Sequence, residues 1–278
     1  MSQTFAFHQV DVFCTEPLTG NPLAVVHDAQ PLTDAQMARF ARWTNLSESA
    51  FLLPPTDPAA DYRVRIFTPG RELPFAGHPT LGACAAWLAA GGTPARADTI
   101  VQQCDIGLVR VRRKAGRLAF AAPPLQRSGS LDDGTLRRVS AALRVGAEAF
   151  IASQWLVNGP AWAVVMLRTR DELLALQPDH AAFGELAVGA VAPVPSDVIT
   201  FEVRGFVPSM GVPEDPVTGS LQAGIAQWLI GAGLAPPRYV AAQGTAIGRA
   251  GRVHVDRDGA DIWIGGEVVT CVAGRVTL

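Results

Sequence analysis

Two apolar ten-residue stretches decide the fold of this chain: residues 82–91, with the sequence GACAAWLAAG, and residues 224–233, with the sequence GIAQWLIGAG. A helix written through either stretch is apolar on nearly every side, and a helix without a polar face is buried. Trp87 of the first stretch corresponds to Trp228 of the second. We therefore predict one buried central helix in each half of the chain, over about residues 79–90 and 220–230.

The two stretches belong to a longer internal repeat. Three further pairs of segments match in the same order: residues 20–26 with 158–165, residues 65–69 (RIFTP) with 204–208 (RGFVP), and residues 107–111 with 248–253. Strand–turn–helix units look alike in many α/β proteins, so one match alone would mean little. Four matches in one order, with a shared Trp-Leu and a shared Arg-x-Phe-x-Pro, favour an internal duplication.

The pattern of each half predicts an α+β fold with two pseudo-symmetric domains, each a barrel-like mixed sheet wrapped around its central apolar helix. In the first half we predict strands over 10–13, 23–26, 50–53 and 63–67. Thr33 and Gln36 form the capping box of a helix whose apolar face holds Met37, Phe40 and Ala41. A stretch rich in Pro, Gly and Ser at 123–129 places the domains at residues 1–126 and 127–278. The packing of the tail, 268–278, is left open.

Both central helices begin with unusual sequences. The first follows Gly77-His78-Pro79-Thr80, and the second follows Glu214-Asp215-Pro216-Val217-Thr218-Gly219-Ser220. Glycine lets a ligand approach the backbone, and the free N–H groups of a first helical turn attract anions. Each motif alone is typical of an ordinary capped helix. As a related pair they favour two anion sites, and a pseudo-twofold relation between the halves would place both sites across one cleft that binds a small anionic substrate.

Such a site needs a group that carries a proton, and Glu48 is the candidate. It lies in Asn45-Leu46-Ser47-Glu48-Ser49, directly before an apolar strand. Partial burial there would raise its pKa toward the range of a general base. Most glutamates at the start of a strand are solvated, however. In the same way His78 could serve only a local hydrogen bond, and Asp215 could be a simple helix cap.

Composition excludes several other classes of function. Lys114 is the only lysine and lies in a predicted hairpin turn, so Schiff-base and pyridoxal-phosphate chemistry is disfavoured. No dinucleotide or P-loop motif occurs, and the four cysteines form no CxxC pair, so we predict no cofactor and no metal. A net charge of −2, the absence of a signal peptide and the absence of a 20-residue apolar run predict a cytoplasmic protein that binds neither nucleic acid nor membrane.

The motifs together resemble the PhzF-like phenazine-biosynthesis isomerase family over nearly the whole chain. The matching segments are Asp11-Val12-Phe13, Gly20-Asn21-Pro22, Asn45 to Ser49, Gly77 to Thr80, Glu214 to Ser220, Gln243-Gly244 and Gly248-Arg249. The resemblance implies a fold like that of diaminopimelate epimerase, cofactor-free catalysis between the two domains, and a homodimer. It makes Glu48 the acid/base, with His78, Asp215 and Ser220 as helpers. Ser47, Gly77, Thr218, Gly219 and Asn21 would bind the substrate.

Two alternatives to a glutamate-dependent isomerase stay open. Related amino-acid racemases place a cysteine at each helix start, where this chain has Gly77-His78 and Gly219-Ser220. A two-thiol racemase is therefore disfavoured. The second alternative is a binding module that kept the fold without catalysis. The complete set of Glu48, His78, Asp215 and Ser220 favours the enzyme, because a binding protein has no need of an acid/base carboxylate.

Overall fold

In the computed structural model, which describes residues 3–278, the chain forms two compact units. The first unit runs to Ala121 and resumes from Gly265 to Leu278, and the second comprises Ala122–Ile264. The division at residues 126 and 127 stays a prediction about the folding domains. The tail returns to the first unit, where it pairs with the first strand of the chain.

The first unit is one sheet with two helices. Its helices are α1 (Asp34–Thr44) and α2 (Gly77–Ala89), and its strands are β1 (Thr4–Val12), β2 (Asn21–Val26), β3 (Ser49–Leu53), β4 (Tyr62–Phe67), β5 (Glu72–Leu73), β6 (Thr99–Cys104), β7 (Gly107–Lys114), β8 (Arg117–Ala121) and β18 (Val268–Thr277). The strands pair in the order β18, β1, β2, β3, β4, β6, β7, β8, with β2–β3 and β4–β6 parallel. The apolar helix α2 contacts strands throughout this sheet, from β18 and β1 to β8, so the sheet wraps around it.

The second unit repeats this plan. Its helices are α3 (Asp133–Leu143), α4 (Arg170–Leu174) and α5 (Gly219–Gly231), and its strands are β9 (Arg127–Gly129), β10 (Ala152–Val157), β11 (Ala161–Met166), β12 (Ala187–Pro193), β13 (Phe201–Val207), β14 (Val212–Asp215), β15 (Arg238–Gln243) and β16 (Gly251–Asp258), while β17 (Asp261–Gly266) crosses the unit boundary. The strands pair in the order β9 to β13, then β15 and β16, again with two parallel pairs, β11–β12 and β13–β15.

The register of the two sheets repeats with the sequence. The parallel pairs Ala24↔Ser49 and Ala163↔Val188 occupy the same place in the two sheets, 139 residues apart. Pairing between strands is decided by which side chains must face the core, so an identical register means an identical inner face. The predicted fold class, α+β with two like halves each wrapping a mixed sheet around an apolar helix, is therefore confirmed.

A repeated ion pair explains the matched Arg-x-Phe sequence. Arg65 on β4 donates two hydrogen bonds to the carboxylate of Glu72, each 2.7 Å long. Arg204 on β13 donates to Glu214 in the same way, at 3.0 and 2.7 Å. Each guanidinium also lies over the ring of the phenylalanine two residues later, at 5.1 Å and 5.0 Å. The pair ties each long strand to the short strand that leads toward its central helix.

The outer helix α1 confirms the local prediction. Thr33 caps it, Gln36 completes the capping box, and Met37, Phe40 and Ala41 are buried against the outer face of the sheet. The central helices begin slightly earlier than predicted, at Gly77 and Gly219. The physical reason is that glycine is unfavourable mainly in the interior of a helix, and Gly77 and Gly219 each occupy only the first helical position.

Candidate active site

The two central helices differ from the outer helices in how they begin. α1 and α3 each have a side chain that accepts a hydrogen bond from a first-turn N–H group. In the described structure no side chain caps α2, whose preceding residue is Ala76, and the hydroxyl of Thr218 does not cap α5. Neither first turn contains an acidic residue. Uncapped N–H groups at the positive end of a helix dipole provide an electrostatic environment for an anion.

Three predicted residues of the first unit meet at the start of α2. His78 is the second residue of the helix, Asn21 is the first residue of β2, and Glu48 lies in the loop before β3. The Oε2 atom of Glu48 lies 3.5 Å from Nδ1 of His78, and Nδ2 of Asn21 lies 3.4 Å from the same nitrogen. The carboxylate is 16% exposed and the imidazole 3%. The side chain of Glu48 therefore keeps some exposure to solvent, while His78 contacts it from the buried side.

His78 is a neutral imidazole at physiological pH. Burial lowers its pKa to about 3, and a hydrogen bond with the backbone of Pro22 acts in the opposite direction without reversing the shift. The contact with Glu48 is therefore not an ion pair at neutral pH. Nδ1, the nitrogen that faces Glu48, donates to an ionised carboxylate in one neutral tautomer and accepts from a protonated carboxyl group in the other, so a neutral imidazole can stabilise either state through a change of tautomer.

The second unit holds a separate cluster at the start of α5. Asp215 is the last residue of β14, and its Oδ2 atom accepts a hydrogen bond of 2.6 Å from the hydroxyl of Thr218. The Thr218 backbone N–H donates to the side chain of Gln243, at 3.1 Å. Asp215 and Thr218 are both more than nine-tenths buried. The chain thus brings a carboxylate, a hydroxyl and an uncapped helix start together.

Ser220 occupies the place in α5 that His78 occupies in α2. Its Oγ atom accepts a hydrogen bond of 3.2 Å from Nε1 of Trp162, and its carbonyl accepts one of 2.9 Å from Nδ2 of Asn158. Because an indole N–H only donates, the hydroxyl proton of Ser220 points elsewhere. Residues just before or within the corresponding strands β2 and β11 therefore hold the second helical residue: Asn21 in the first unit, Asn158 and Trp162 in the second.

The structure places the remaining predicted residues next to these clusters. Gly77 and Gly219 are the buried first residues of α2 and α5, and Ser47 is half-buried in the loop beside Glu48. Sequence reasoning missed the side chains of Asn158, Trp162 and Gln243. Two features of the sequence pointed to them. Segment 158–165 belongs to the internal repeat, and Gln243-Gly244 is one of the motifs that carry the family resemblance.

The cysteines are not placed as nucleophiles. Cys14, Cys84 and Cys104 are buried and Cys271 is partly buried. Burial is the largest cause that raises the pKa of Cys14 to about 12 and that of Cys84 to about 12. A thiol acts as a base or nucleophile through its thiolate form. These two thiols stay protonated at neutral pH, which disfavours the thiol-dependent racemase.

Within residues 3–278, no three His, Cys, Asp or Glu side chains converge as the ligands of a metal ion would. In the same part of the chain, no helix has both the length and the apolar character that crossing a bilayer demands.

The chain resembles known proteins over its full length. The family model of phenazine biosynthesis-like proteins matches residues 10–274. A trans-2,3-dihydro-3-hydroxyanthranilate isomerase from Pseudomonas aeruginosa is 36% identical over 270 residues, which cover 95% of this chain and 92% of the relative. The structure of a predicted epimerase from the same organism superposes with a TM-score of 0.81 at 30% identity and 99% coverage of both chains. A Bacillus anthracis protein of the PhzF family, at 21% identity, gives a TM-score of 0.85 over 99% of this chain and 100% of its own, and shows the fold.

The duplicated fold, its two polar helix starts and these relatives define an enzyme of the isomerase class. More closely, the chain belongs to the PhzC-PhzF family of phenazine biosynthesis-like proteins, which confirms the resemblance inferred from its motifs.

Proposed function

We propose that this isomerase moves a proton on a small carboxylate-bearing substrate without a cofactor or metal, and that Glu48 is the acid/base. The observation that carries the proposal is the contact of 3.5 Å between Oε2 of Glu48 and Nδ1 of the neutral His78, at an uncapped helix start. The carboxylate takes a proton from carbon and returns it to another position. The neutral imidazole stabilises Glu48 before and after the transfer.

The proposal assigns the remaining groups by their chemistry. The N–H groups at the starts of α2 and α5, with Gly77 and Gly219 allowing close approach, bind the substrate carboxylate and stabilise charge that develops in the transition state. The hydroxyl of Ser220 donates to the substrate. Asn21, Ser47 and Thr218 orient it, and Asp215 holds a donor group. A single site shared by both clusters in a cleft between the domains stays a prediction from the family resemblance, as does the homodimer, and the cytoplasmic location stays a prediction from composition.

The decisive experiment compares Glu48→Gln with the wild type. Candidate substrates are trans-2,3-dihydro-3-hydroxyanthranilate, the compound in the name of one relative, and a panel of cyclic and amino carboxylates. NMR measures deuterium uptake from solvent, and calorimetry measures binding. Glutamine keeps the shape of glutamate but cannot take a proton, so exchange should fall by about 10²–10⁴-fold while affinity changes little.

Glu16→Gln, on an exposed glutamate of the same unit, is the matched control and should exchange like the wild type. Undiminished exchange in Glu48→Gln would remove this residue from the mechanism. A wild-type protein that binds members of the panel but exchanges none of their protons would favour the alternative, a binding module on the same fold.

A further inference from the structure

Gln243 is the end residue of β15, and its side chain is completely buried between that strand and α5. Its amide makes four hydrogen bonds. The Oε1 atom accepts from the backbone N–H of Thr218 at 3.1 Å and from Nε2 of Gln222 at 2.9 Å. The Nε2 atom donates to the carbonyl of Asp215 at 3.1 Å and to the hydroxyl of Thr218 at 2.9 Å. The amide thus holds both ends of the turn that leads into α5.

Two backbone groups determine which way this amide points. A backbone N–H can only donate, so the atom that faces Thr218 N must be the oxygen. A backbone carbonyl can only accept, so the atom that faces Asp215 O must be the nitrogen. The two requirements agree, which leaves a single orientation for the amide of Gln243.

That orientation determines where the Thr218 proton goes. The hydroxyl of Thr218 accepts from Nε2 of Gln243, so its own proton is directed to its other partner, Oδ2 of Asp215, at 2.6 Å. The bond has the length of a hydroxyl donating to a charged carboxylate. Oδ2 is therefore held as a hydrogen-bond acceptor, and it is not the oxygen that carries a proton.

The surroundings leave little room for another arrangement. A Cβ atom on Gly205 would lie 2.9 Å from Oγ1 of Thr218 and 3.3 Å from Nε2 of Gln243. A Cβ on Gly251 would lie 2.8 Å from the carbonyl of Gln243. A Cβ atom is not tolerated closer than 3.0 Å to another non-hydrogen atom in a packed interior. Two glycines thus provide the space in which the network is held.

The corresponding region of the first unit contains a related network of hydrogen bonds that ends on a different acceptor. There Nε2 of Gln102 donates to the hydroxyl of Thr80 at 2.9 Å, and that hydroxyl donates to the carbonyl of Ala76 at 2.9 Å. The buried glutamine recurs, but the threonine that it contacts is the fourth residue of α2, where α5 has Gln222, and the final acceptor is a backbone carbonyl. Among the described residues, this series of hydrogen bonds ends on a carboxylate only in the second unit.

We propose that Gln243 is a positioning residue that acts through Thr218 and holds Oδ2 of Asp215 as a hydrogen-bond acceptor. Asp215 consequently presents Oδ2 to the reaction as a hydrogen-bond acceptor for a donor group of the substrate, and it does not deliver a proton from that oxygen. This inference rests on the proposed function in one respect, namely that Asp215 belongs to the substrate site.

The kinetic test is a double-mutant cycle on kcat/KM for proton exchange. Thr218→Val keeps the shape of the side chain but removes the hydroxyl, and we expect a loss of about 10- to 100-fold. Thr218→Ser keeps the hydroxyl and should restore activity. If Thr218 acts through Asp215, the valine change should cost almost nothing in an Asp215→Asn background, because groups that act as one unit are not additive. Gln243→Glu should match Thr218→Val, because the new carboxylate accepts the Thr218 proton instead.

The chain contains a matched control for this bond. At the start of α3 the hydroxyl of Thr135 donates to Oδ2 of Asp132 at 2.7 Å, with the same three-residue spacing. In the described part of the chain, no glutamine side chain donates to this hydroxyl. Two hydrogen bonds from Thr135 lower the pKa of Asp132. The larger effect comes from its backbone N–H and the next from its hydroxyl. Thr135→Val should lower stability, leave kcat/KM unchanged and be additive with Asp215→Asn. Additive losses for Thr218→Val and Asp215→Asn would overturn the proposal.

A second measurement needs no substrate and so separates this inference from the proposed function. The buried Thr218 hydroxyl proton should exchange slowly with solvent and give an NMR signal that Thr218→Val removes. Asp215→Asn should shift that signal upfield, because a neutral amide oxygen accepts more weakly than a carboxylate. A signal insensitive to Asp215→Asn would overturn the relay even if Glu48 proves to be the catalytic base. The expected shift in a protein that exchanges no substrate proton would leave the relay intact and refute only the proposed function.

Discussion

A pair of histidines in the first unit shows how burial sets the charge of individual residues. Nδ1 of His8 lies 2.8 Å from Nε2 of His27, so the two rings share a proton. Burial, and after it the neighbouring His8, lowers the pKa of His27 to about 4, while Asp28 acts in the opposite sense. His27 is therefore neutral in the folded protein at pH values where an exposed histidine is half charged.

This pair predicts a loss of stability in mild acid. The unfolded chain binds a proton at His27 as the pH falls below about 6.5, and the folded chain binds it only near the lowered pKa. The stability that neutral His27 contributes is thus complete above about pH 6.5. It is lost as the pH falls toward the lowered pKa of His27 in the folded protein. Between pH 7.5 and pH 5.0, the wild type should lose about 2 kcal/mol more free energy of unfolding than His27→Gln.

Urea unfolding at the two pH values measures this difference. His180→Gln, on an exposed histidine, should follow the wild type. Equal losses in His27→Gln and the wild type would show that His27 is not buried in its neutral form. His78, whose pKa is also lowered by burial, adds a loss of the same sign in all three proteins.

Residues of the candidate site were predictable where a motif is local. Gly77, His78, Thr218 and Ser220 lie within two short strings at helix starts, and the glycine, proline and hydroxyl pattern is visible without a structure. Gln243 was visible only as part of a motif. Its role depends on a carboxylate and a hydroxyl 25 to 28 residues earlier in the chain, and no local pattern encodes such a partner.

At the scale of elements, the central helix α2 approaches its sheet so closely that one position excludes a methyl group. A Cβ atom on Gly82 would lie 2.6 Å from Cδ2 of Leu23 and 3.0 Å from side-chain carbons of Val10 and Val12. All three neighbours are completely buried. Gly82 therefore sets the distance between α2 and strands β1 and β2, and the helix start that carries His78 depends on that distance.

Gly82→Ala should destabilise the protein although alanine is the better helix former. Overpacking of a filled core costs about 1–3 kcal/mol, which exceeds the helix-propensity gain of about 1 kcal/mol. Gly231→Ala is the matched control, because Gly231 is the last residue of α5 and a Cβ there would meet nothing within 4 Å. That change should stabilise by up to about 1 kcal/mol.

Chemical denaturation of both variants measures the two effects. An alanine at position 82 that leaves stability unchanged or raised would mean that α2 can move away from the strands at little cost. In that case the packing of the central helix would not determine where His78 lies.

At the scale of the whole molecule, the last strand belongs with the first. β18 pairs with β1 along its length, from Val268 opposite Val12 to Thr277 opposite Thr4, with one irregularity near Gln9. Backbone hydrogen bonds between Gln3 and Leu278 extend the ladder. The tail therefore completes the first sheet, and the order of residues along the chain does not coincide with the two compact units.

Deletion of residues 268–278 should selectively loosen the first unit. The backbone groups of β1 that pair with β18 would face solvent, and amides without a partner strand exchange quickly with water. Hydrogen exchange monitored by mass spectrometry should show lost protection in β1 and β2, whereas β10 to β13 keep theirs. Full-length protein under the same conditions is the reference. Retained protection in β1 would mean that the tail contributes nothing to the first sheet.

The sequence by itself determined the two buried helices, the duplication that produced them, the capped helix α1 and the short motifs that carry Glu48, His78 and Asp215. These are consequences of periodicity and local composition, which act over a few residues. The tertiary structure alone decided that Asn21 supports His78, that Trp162 and Asn158 hold Ser220, that Gln243 orients Thr218, and that β18 returns to β1. Such partners are chosen by the path of the folded backbone, which brings together side chains that are far apart along the chain.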